Sequence, residues 1–151
     1  AGESTVGACV VFDGDGPVSS QYRRFNIKGV VAGDDYGAMR EVLQRRYRKV
    51  VENREAIPDL IFVDGGKGQH RIAQDVLDEL LLGDIPIVAV AKGHDRKAGN
   101  EKLYISGRKS ELTLPRVSAG LHLIQQIRDE AHRFAQHYHH YLRHKKFIEN
   151  E

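Results

Sequence analysis

Residues 58–69 read PDLIFVDGGKGQ, and this stretch decides the fold class of the chain. Pro58 interrupts the helical pattern that precedes it, because proline lacks the backbone N–H that a helix needs. Residues 60–63 form a continuous apolar run, which is typical of a strand buried on both faces in a parallel sheet. The run ends at Asp64, and the glycines after it predict a tight turn. The stretch therefore predicts a buried strand that carries an aspartate at its end.

An amphipathic helix and a second buried strand follow. Apolar residues recur at helical spacing over residues 71–82, and Gly83 is a suitable stop for that helix. Residues 85–91, IPIVAVA, match another strand of the buried type. Residues 59–91 therefore predict a β-α-β unit, which we expect to be parallel and right-handed.

The segments before this unit predict a hairpin and a helix. Residues 5–12 are apolar and rich in β-branched side chains, so they predict a strand. The turn-forming sequence DGDGP at 13–17 separates them from a more polar strand over 21–27. Helical spacing of apolar residues then predicts a helix from Gly33 to about Asn53.

The segments after the β-α-β unit predict a small hairpin and a long helix. Residues 103–105 and 112–114 match the hairpin strands, and a helix is expected over residues 118–143. The whole order of elements predicts an α/β fold with a mixed sheet flanked by helices. A ribonuclease-H-like fold has this order, with one additional strand in front that forms the centre of the sheet.

Composition limits the class of protein. The chain has 151 residues, 40% of them hydrophobic and 29% charged, which fits one globular domain over residues 1–151. It contains no apolar run near the ~20 residues that span a bilayer and no signal-peptide pattern. Cys9 is the single cysteine, so we expect a reducing, cytoplasmic location. The net charge of +2 does not by itself indicate a nucleic-acid partner.

Asp64 is the strongest candidate for chemistry. It ends a buried strand, and ligand-binding groups of α/β sheets gather at the carboxyl ends of strands. The adjacent glycines leave room for a phosphate or a substrate backbone, and Lys67 adds a positive charge. The alternative is that Asp64 caps the turn or the following helix. The segment lacks the GxxxxGK[ST] pattern of a Walker A loop, so it does not predict ATP hydrolysis.

Two further candidates lie on predicted helices. Asp34 and Asp35 stand at a helix N-terminus, where capping is an alternative explanation for both. In the last helix, four polar residues recur at i, i+3, i+4 and i+7 and so share one face: Gln125, Arg128, Asp129 and His132. A histidine on that face suits metal binding or general acid–base catalysis, and a purely structural role is the alternative.

Basic residues are candidates for phosphate contacts. Lys92 and Arg96 follow the strand that ends at the same sheet edge as Asp64, and a solvated loop is the alternative. Basic side chains of the first and last helices suit contacts with a nucleic-acid backbone, against the alternative of solvated helix faces. The histidines near the C-terminus do not predict a zinc site, because no paired cysteines accompany them.

Taken together, these residues resemble one family, the C-terminal endonuclease domain of UvrC. The motifs VDGGKGQ and QIRDEAHRF are highly specific, and the matching segments spread over nearly the whole chain. These segments are GESTVGACVVFDGDGP, YRRFNIKGVVAGDDYGAMREVLQRRY, PDLIFVDGGKGQ, VAVAKGHDRKAG and LHLIQQIRDEAHRFA. The resemblance implies a ribonuclease-H-like endonuclease that incises DNA 5′ of a lesion in bacterial nucleotide excision repair.

The resemblance also implies roles for particular residues. Asp64 and His132 match metal-binding catalytic positions of the family, and Asp35 matches a further functionally important aspartate. The expected cofactor is Mg²⁺ or Mn²⁺, since such cations activate water and neutralise charge at phosphorus. For binding of the DNA substrate we expect Lys67, Lys92, Arg96 and Arg128.

The chain departs from the family pattern at its start. The family's first catalytic aspartate lies just upstream of the glycine that matches Gly2, and this sequence has no such residue. We therefore expect an N-terminally truncated domain that lacks the first, central strand of the sheet. The expected partners are damaged double-stranded DNA and, through a segment outside this chain, UvrB. No membrane association is expected.

Two other functions stay open on the residues alone. The absent aspartate favours a DNA-binding or scaffold fragment of the same domain without catalytic activity, whose binding weakens with salt. A different ribonuclease-H-like nuclease activity, such as cleavage of the RNA strand in a hybrid, is the second alternative.

Overall fold

The structure is a computed structural model that describes residues 5–27, 35–91 and 101–149, with side chains described over 9–25, 36–91 and 101–136. The described strands are β1 (Thr5–Cys9), β2 (Phe12–Asp13), β3 (Gly16–Pro17), β4 (Arg23–Ile27), β5 (Ile61–Asp64), β6 (Ile87–Ala91) and β7 (Lys102–Ile105). The described helices are α1 (Asp35–Val51), α2 (Lys67–Glu79) and α3 (Ala119–Glu149). The chain forms two compact units: residues 1–32 with 123–151, and residues 33–122.

The first unit contains the predicted hairpin. β1 and β4 pair antiparallel, from Thr5 opposite Ile27 to Cys9 opposite Arg23. Their connection is more elaborate than one turn, because β2 and β3 form a short ribbon of their own and a single 3₁₀ turn precedes β4. The first strand therefore ends at Cys9, earlier than the apolar pattern predicted.

The second unit contains the predicted β-α-β arrangement. β5 and β6 pair in parallel, from Ile61 opposite Ile87 to Asp64 opposite Val90, and α2 connects them. β7 continues this sheet by pairing antiparallel with β6. The hairpin expected around Gly107 is reduced to a bridge, since only Leu112 pairs with Leu103 of β7.

Hydrogen bonding in the described part of the chain groups the strands into three sheets, β1–β4, β2–β3 and β5–β6–β7. The last of these is a mixed sheet, because β5 and β6 pair in parallel and β6 and β7 pair antiparallel. The described residues form a mixed α/β fold with three α-helices and small sheets.

The core of the second unit lies between α2 and the β5–β6 pair. Ala73, Val76 and Leu77 of α2 are completely buried and belong to one apolar cluster with strand residues Ile61 and Ile87. Each fully buried aliphatic side chain stabilises the fold by roughly 1.5–3 kcal/mol. This packing holds α2 against the sheet and so determines where its N-terminus lies.

The bounds of α2 differ from the predicted 71–82. The helix begins at Lys67, because the Gly66 N–H donates to the Oε1 atom of Gln69 at 2.9 Å and caps the first turn. It ends at Glu79, and the left-handed residue that follows it is Leu81, with φ of 60°. Gly83 is therefore not the helix stop.

Replacing Leu81 by glycine is expected to stabilise the second unit by roughly 1 kcal/mol, because a left-handed backbone is costly for leucine and not for glycine. Little burial is lost, since Leu81 is 91% exposed. The measurement is the urea midpoint of unfolding. The control is Asn53→Gly, since Asn53 also has a positive φ of 61° but asparagine tolerates it, so the gain is smaller. A loss of stability in Leu81→Gly contradicts this account.

The long predicted helix is confirmed as α3, which begins at Ala119 and continues to Glu149. The hydroxyl of Ser118 accepts a hydrogen bond from the Leu121 N–H at 3.0 Å and caps the helix. The helices in the described part of the chain include none that is both long and apolar enough to span a membrane.

Candidate functional site

The carboxyl edge of β5 carries the first candidate residue. Asp64 is the last residue of β5 and its side chain is exposed. Gly65 continues the pairing, since its N–H donates to the Val90 carbonyl at 2.9 Å, and it has a φ of +147°. A side chain at Gly65 would overlap that of Gln69. Glycine is therefore required where the chain turns from Asp64 into α2.

The N-terminus of α2 begins three residues after Asp64. The exposed Lys67 is its first residue, and the backbone N–H groups of a first helical turn have no partners within the helix. The positive end of the helix dipole adds to the charge of Lys67. A carboxylate that suits a divalent cation and N–H groups that suit phosphate oxygens thus lie at one edge of the sheet.

The N-terminus of α1 lies against the same loop. A side chain at Gly68 would overlap the hydroxyl of Tyr36, which is 48% exposed. The third glycine of the motif therefore makes room for a tyrosine rather than for a ligand. Asp35 directly precedes Tyr36 as the first residue of α1. The side chain of Asp35 lies outside the described side chains.

Tyr104 of β7 approaches the loop from the other side. A Cβ atom at Gly66 would lie 3.9 Å from Cε2 of Tyr104, an ordinary contact. The Tyr104 hydroxyl donates to Glu111 at 3.1 Å, and burial together with this carboxylate raises the pKa of Tyr104. The sequence did not single out Tyr36 or Tyr104. The only available signal was an aromatic residue directly after the acidic pair, at Tyr36.

The second candidate region lies on α3 in the first unit. His132 and Asp129 are exposed, and Arg128 is half-buried. A different side of the helix contacts the hairpin: Glu130 accepts a hydrogen bond from the Tyr22 hydroxyl at 2.8 Å. Glu130 also accepts two hydrogen bonds from Arg133, at 2.6 and 2.9 Å.

This hydrogen-bonded group shifts two pKa values. The hydrogen bond from Arg133, and then that from Tyr22, lower the pKa of Glu130 to about 2. Burial, followed by the hydrogen bond to Glu130, raises the pKa of Tyr22 to about 12. At neutral pH the carboxylate is therefore charged and the phenol is neutral, which is the combination that the hydrogen bond requires.

Wild-type stability is expected to fall more steeply than that of Tyr22→Phe as the pH rises from 10 to about 12. Folding raises the pKa of the Tyr22 hydroxyl above its ordinary value of 10. The neutral hydroxyl therefore stabilises the folded state fully below pH 10, and this stabilisation is lost as the pH rises toward the folded-state pKa of about 12. The difference is on the order of 2 kcal/mol. The free energy of unfolding of both proteins is measured by urea unfolding at each pH. If it falls equally with pH in the wild type and in Tyr22→Phe, the prediction is contradicted.

The predicted site residues lie in both units of the chain. Asp64 and Lys67 lie together at the carboxyl edge of β5 in the second unit, whereas Arg128 and His132 lie on α3 in the first. Lys92 and Arg96 lie outside the described residues. The described residues contain no cluster of three or more histidine, cysteine or acidic side chains that would hold a metal. Asp64 fits a hard divalent cation by its chemistry, as one ligand of a larger set.

The amino-acid sequence of this chain matches known proteins over most of its length. The family model described as the UvrC RNAse H endonuclease domain matches residues 1–136. UvrABC system protein C of Pseudomonas savastanoi pv. phaseolicola is 57% identical over 135 residues, which cover 89% of this chain. The protein of the same name from Coxiella burnetii strain CbuK_Q154 is 55% identical over 134 residues, again 89% of this chain. The chain spans 22% of the length of each relative.

Proposed function

The chain belongs to the UvrC RNase H endonuclease domain family, and on that premise we propose that it hydrolyses a DNA phosphodiester 5′ of a lesion, in a divalent-metal-dependent reaction of the UvrABC system. The observation that carries this proposal is the exposed Asp64 beside the N-terminus of α2. In this proposal Asp64 is a metal ligand and the N-terminus of α2 binds a phosphate, and both lie at one edge of the sheet.

Asp64 and His132 hold the cation in this proposal, and Asp35 supports the site through water. Bound Mg²⁺ or Mn²⁺ supplies charge neutralisation at phosphorus and an activated water. Asp64 contributes a hard oxygen ligand, which suits both cations. The resemblance to the family adds an aspartate upstream of Gly2 to this set, on the central strand of a ribonuclease-H-like sheet.

The basic groups bind the substrate backbone. Lys67 and the N–H groups of α2 attract a phosphate at the edge where Asp64 lies. The same role is proposed for Lys92, Arg96 and Arg128. These residues contact the phosphates and recognise the shape of the DNA, and they do not contact base edges. The lesion is therefore selected by partner proteins.

The wider setting is also a proposal. Residues 1–151 act as one nuclease domain of a cytoplasmic protein. That protein works on damaged double-stranded DNA and contacts UvrB through a segment outside this chain.

The test is an incision assay with a longer protein that carries the upstream aspartate, together with its partner proteins. The substrates are a duplex with a single lesion, the undamaged duplex and an RNA/DNA hybrid, each with Mg²⁺, Mn²⁺ or chelator. The expected result is metal-dependent incision 5′ of the lesion. Cleavage of the hybrid alone points to a different ribonuclease-H-like activity. Salt-sensitive DNA binding without incision points to a scaffold.

A further inference from the structure

Two side chains of the hairpin contact one side of α3. Tyr22 and Arg24 are alternate residues of an extended segment and so share a face. The Tyr22 ring meets the Phe134 ring edge to face, with centroids 5.0 Å apart and planes at 71°. The guanidinium carbon of Arg24 lies 3.7 Å from the centroid of Phe134. The hairpin thus holds Phe134 through two kinds of ring contact.

A directional hydrogen bond adds to these contacts. The Tyr22 hydroxyl donates to Glu130 Oε2 at 2.8 Å, and Arg133 holds both oxygens of the same carboxylate. The Glu130 side chain is only 18% exposed, and Tyr22 and Phe134 are each 8% exposed. Ring packing tolerates sliding, whereas a hydrogen bond between a buried hydroxyl and an oriented carboxylate does not.

His132 lies on the opposite side of the helix. It is two residues from both Glu130 and Phe134, and two steps of an α-helix turn by about 200°. The contacts with Tyr22 and Arg24 therefore direct His132 away from the hairpin, toward the side that also carries Arg128 and Asp129. His132 itself is exposed.

We infer that the Tyr22–Glu130 hydrogen bond sets the rotation of α3 about its axis and thereby aims His132, which makes Tyr22 and Glu130 positioning residues of the nuclease. This inference rests on the proposed function. A rotation of roughly 20° moves a side-chain end about 2 Å when it lies ~5 Å from the helix axis. Displacements of about 1 Å at a reacting centre cost up to about a hundredfold in rate.

The test compares Tyr22→Phe with Ser106→Ala in the longer, incision-competent protein. Both variants remove a hydroxyl that makes a part-buried hydrogen bond, but Ser106 and its partner Ile87 lie in the other unit, at the end of β6 away from Asp64. Two quantities are measured: kcat and KM for incision, and the NMR chemical shifts of the His132 ring in the metal-free protein. For Tyr22→Phe we expect kcat to fall by about tenfold with KM unchanged, and the ring shifts to move. For Ser106→Ala we expect neither change.

The second arm varies Glu130. Glutamine keeps an oxygen that accepts from Tyr22, so Glu130→Gln is expected to retain more of kcat than Glu130→Ala. Unchanged ring shifts and kcat in Tyr22→Phe overturn the inference, as do equal losses in Ser106→Ala. If His132→Ala retains full incision, the proposed catalytic role of His132 fails. The ring shifts in Tyr22→Phe then still decide whether the hydrogen bond aims His132.

Discussion

Asp64→Asn is expected to lower kcat for metal-dependent DNA incision by about a thousandfold or more, which corresponds to about 4 kcal/mol of lost transition-state stabilisation. The amide retains the size of the side chain but not its negative charge, so the cation loses a charged oxygen ligand. Asp64 is the last residue of β5 and is exposed. The measurement is the single-turnover rate on a duplex with one lesion, with Mn²⁺ affinity measured separately.

Asp59→Asn is the matched control for this substitution. Asp59 is also exposed, but it precedes β5 and so lies at the opposite edge of the sheet from Asp64. The same change of charge there is expected to leave the incision rate and the Mn²⁺ affinity unaltered. Incision at the wild-type rate by Asp64→Asn would falsify the assignment of Asp64 as a metal ligand.

Gly65→Ala is expected to lower incision by about a hundredfold and to destabilise the second unit by roughly 3 kcal/mol. Gly65 has a φ of +147°, a conformation that L side chains rarely adopt, and an added Cβ atom would overlap Gln69. The loop must therefore shift, and Asp64 and the start of α2 shift with it. Incision rate and urea unfolding are measured on the same protein.

Gly66→Ala provides the comparison, because it adds the same methyl group one residue later. Gly66 has a negative φ of −101°, and a Cβ atom there makes ordinary contacts at 3.9 Å with Ala91 and Tyr104. We expect less than about 1 kcal/mol of destabilisation and little change in rate. If the two alanine variants behave alike, backbone conformation at Gly65 is not what holds Asp64 in place.

Local sequence pattern predicted the elements that build this edge of the sheet. The apolar run before Asp64, the amphipathic helix and the second buried run are all short-range signals, and β5, α2 and β6 confirm them. The start of α2 at Lys67 was missed, because it depends on one side-chain cap from Gln69 rather than on periodicity. The pairing of β7 with β6 was not predicted, because pairing is a long-range property.

The order of strands and helices and the place of Asp64 at a strand end follow from the sequence, because periodicity, turn residues and strand polarity act over a few neighbours. The requirement for glycine at position 68 was decided by the tertiary structure, because α1 packs against α2 and a side chain at Gly68 would overlap Tyr36. The hydrogen bond from Tyr22 to Glu130 joins residues 108 positions apart. Contacts between residues so far apart in the sequence form only when burial brings distant elements together, so no local sequence pattern predicts them.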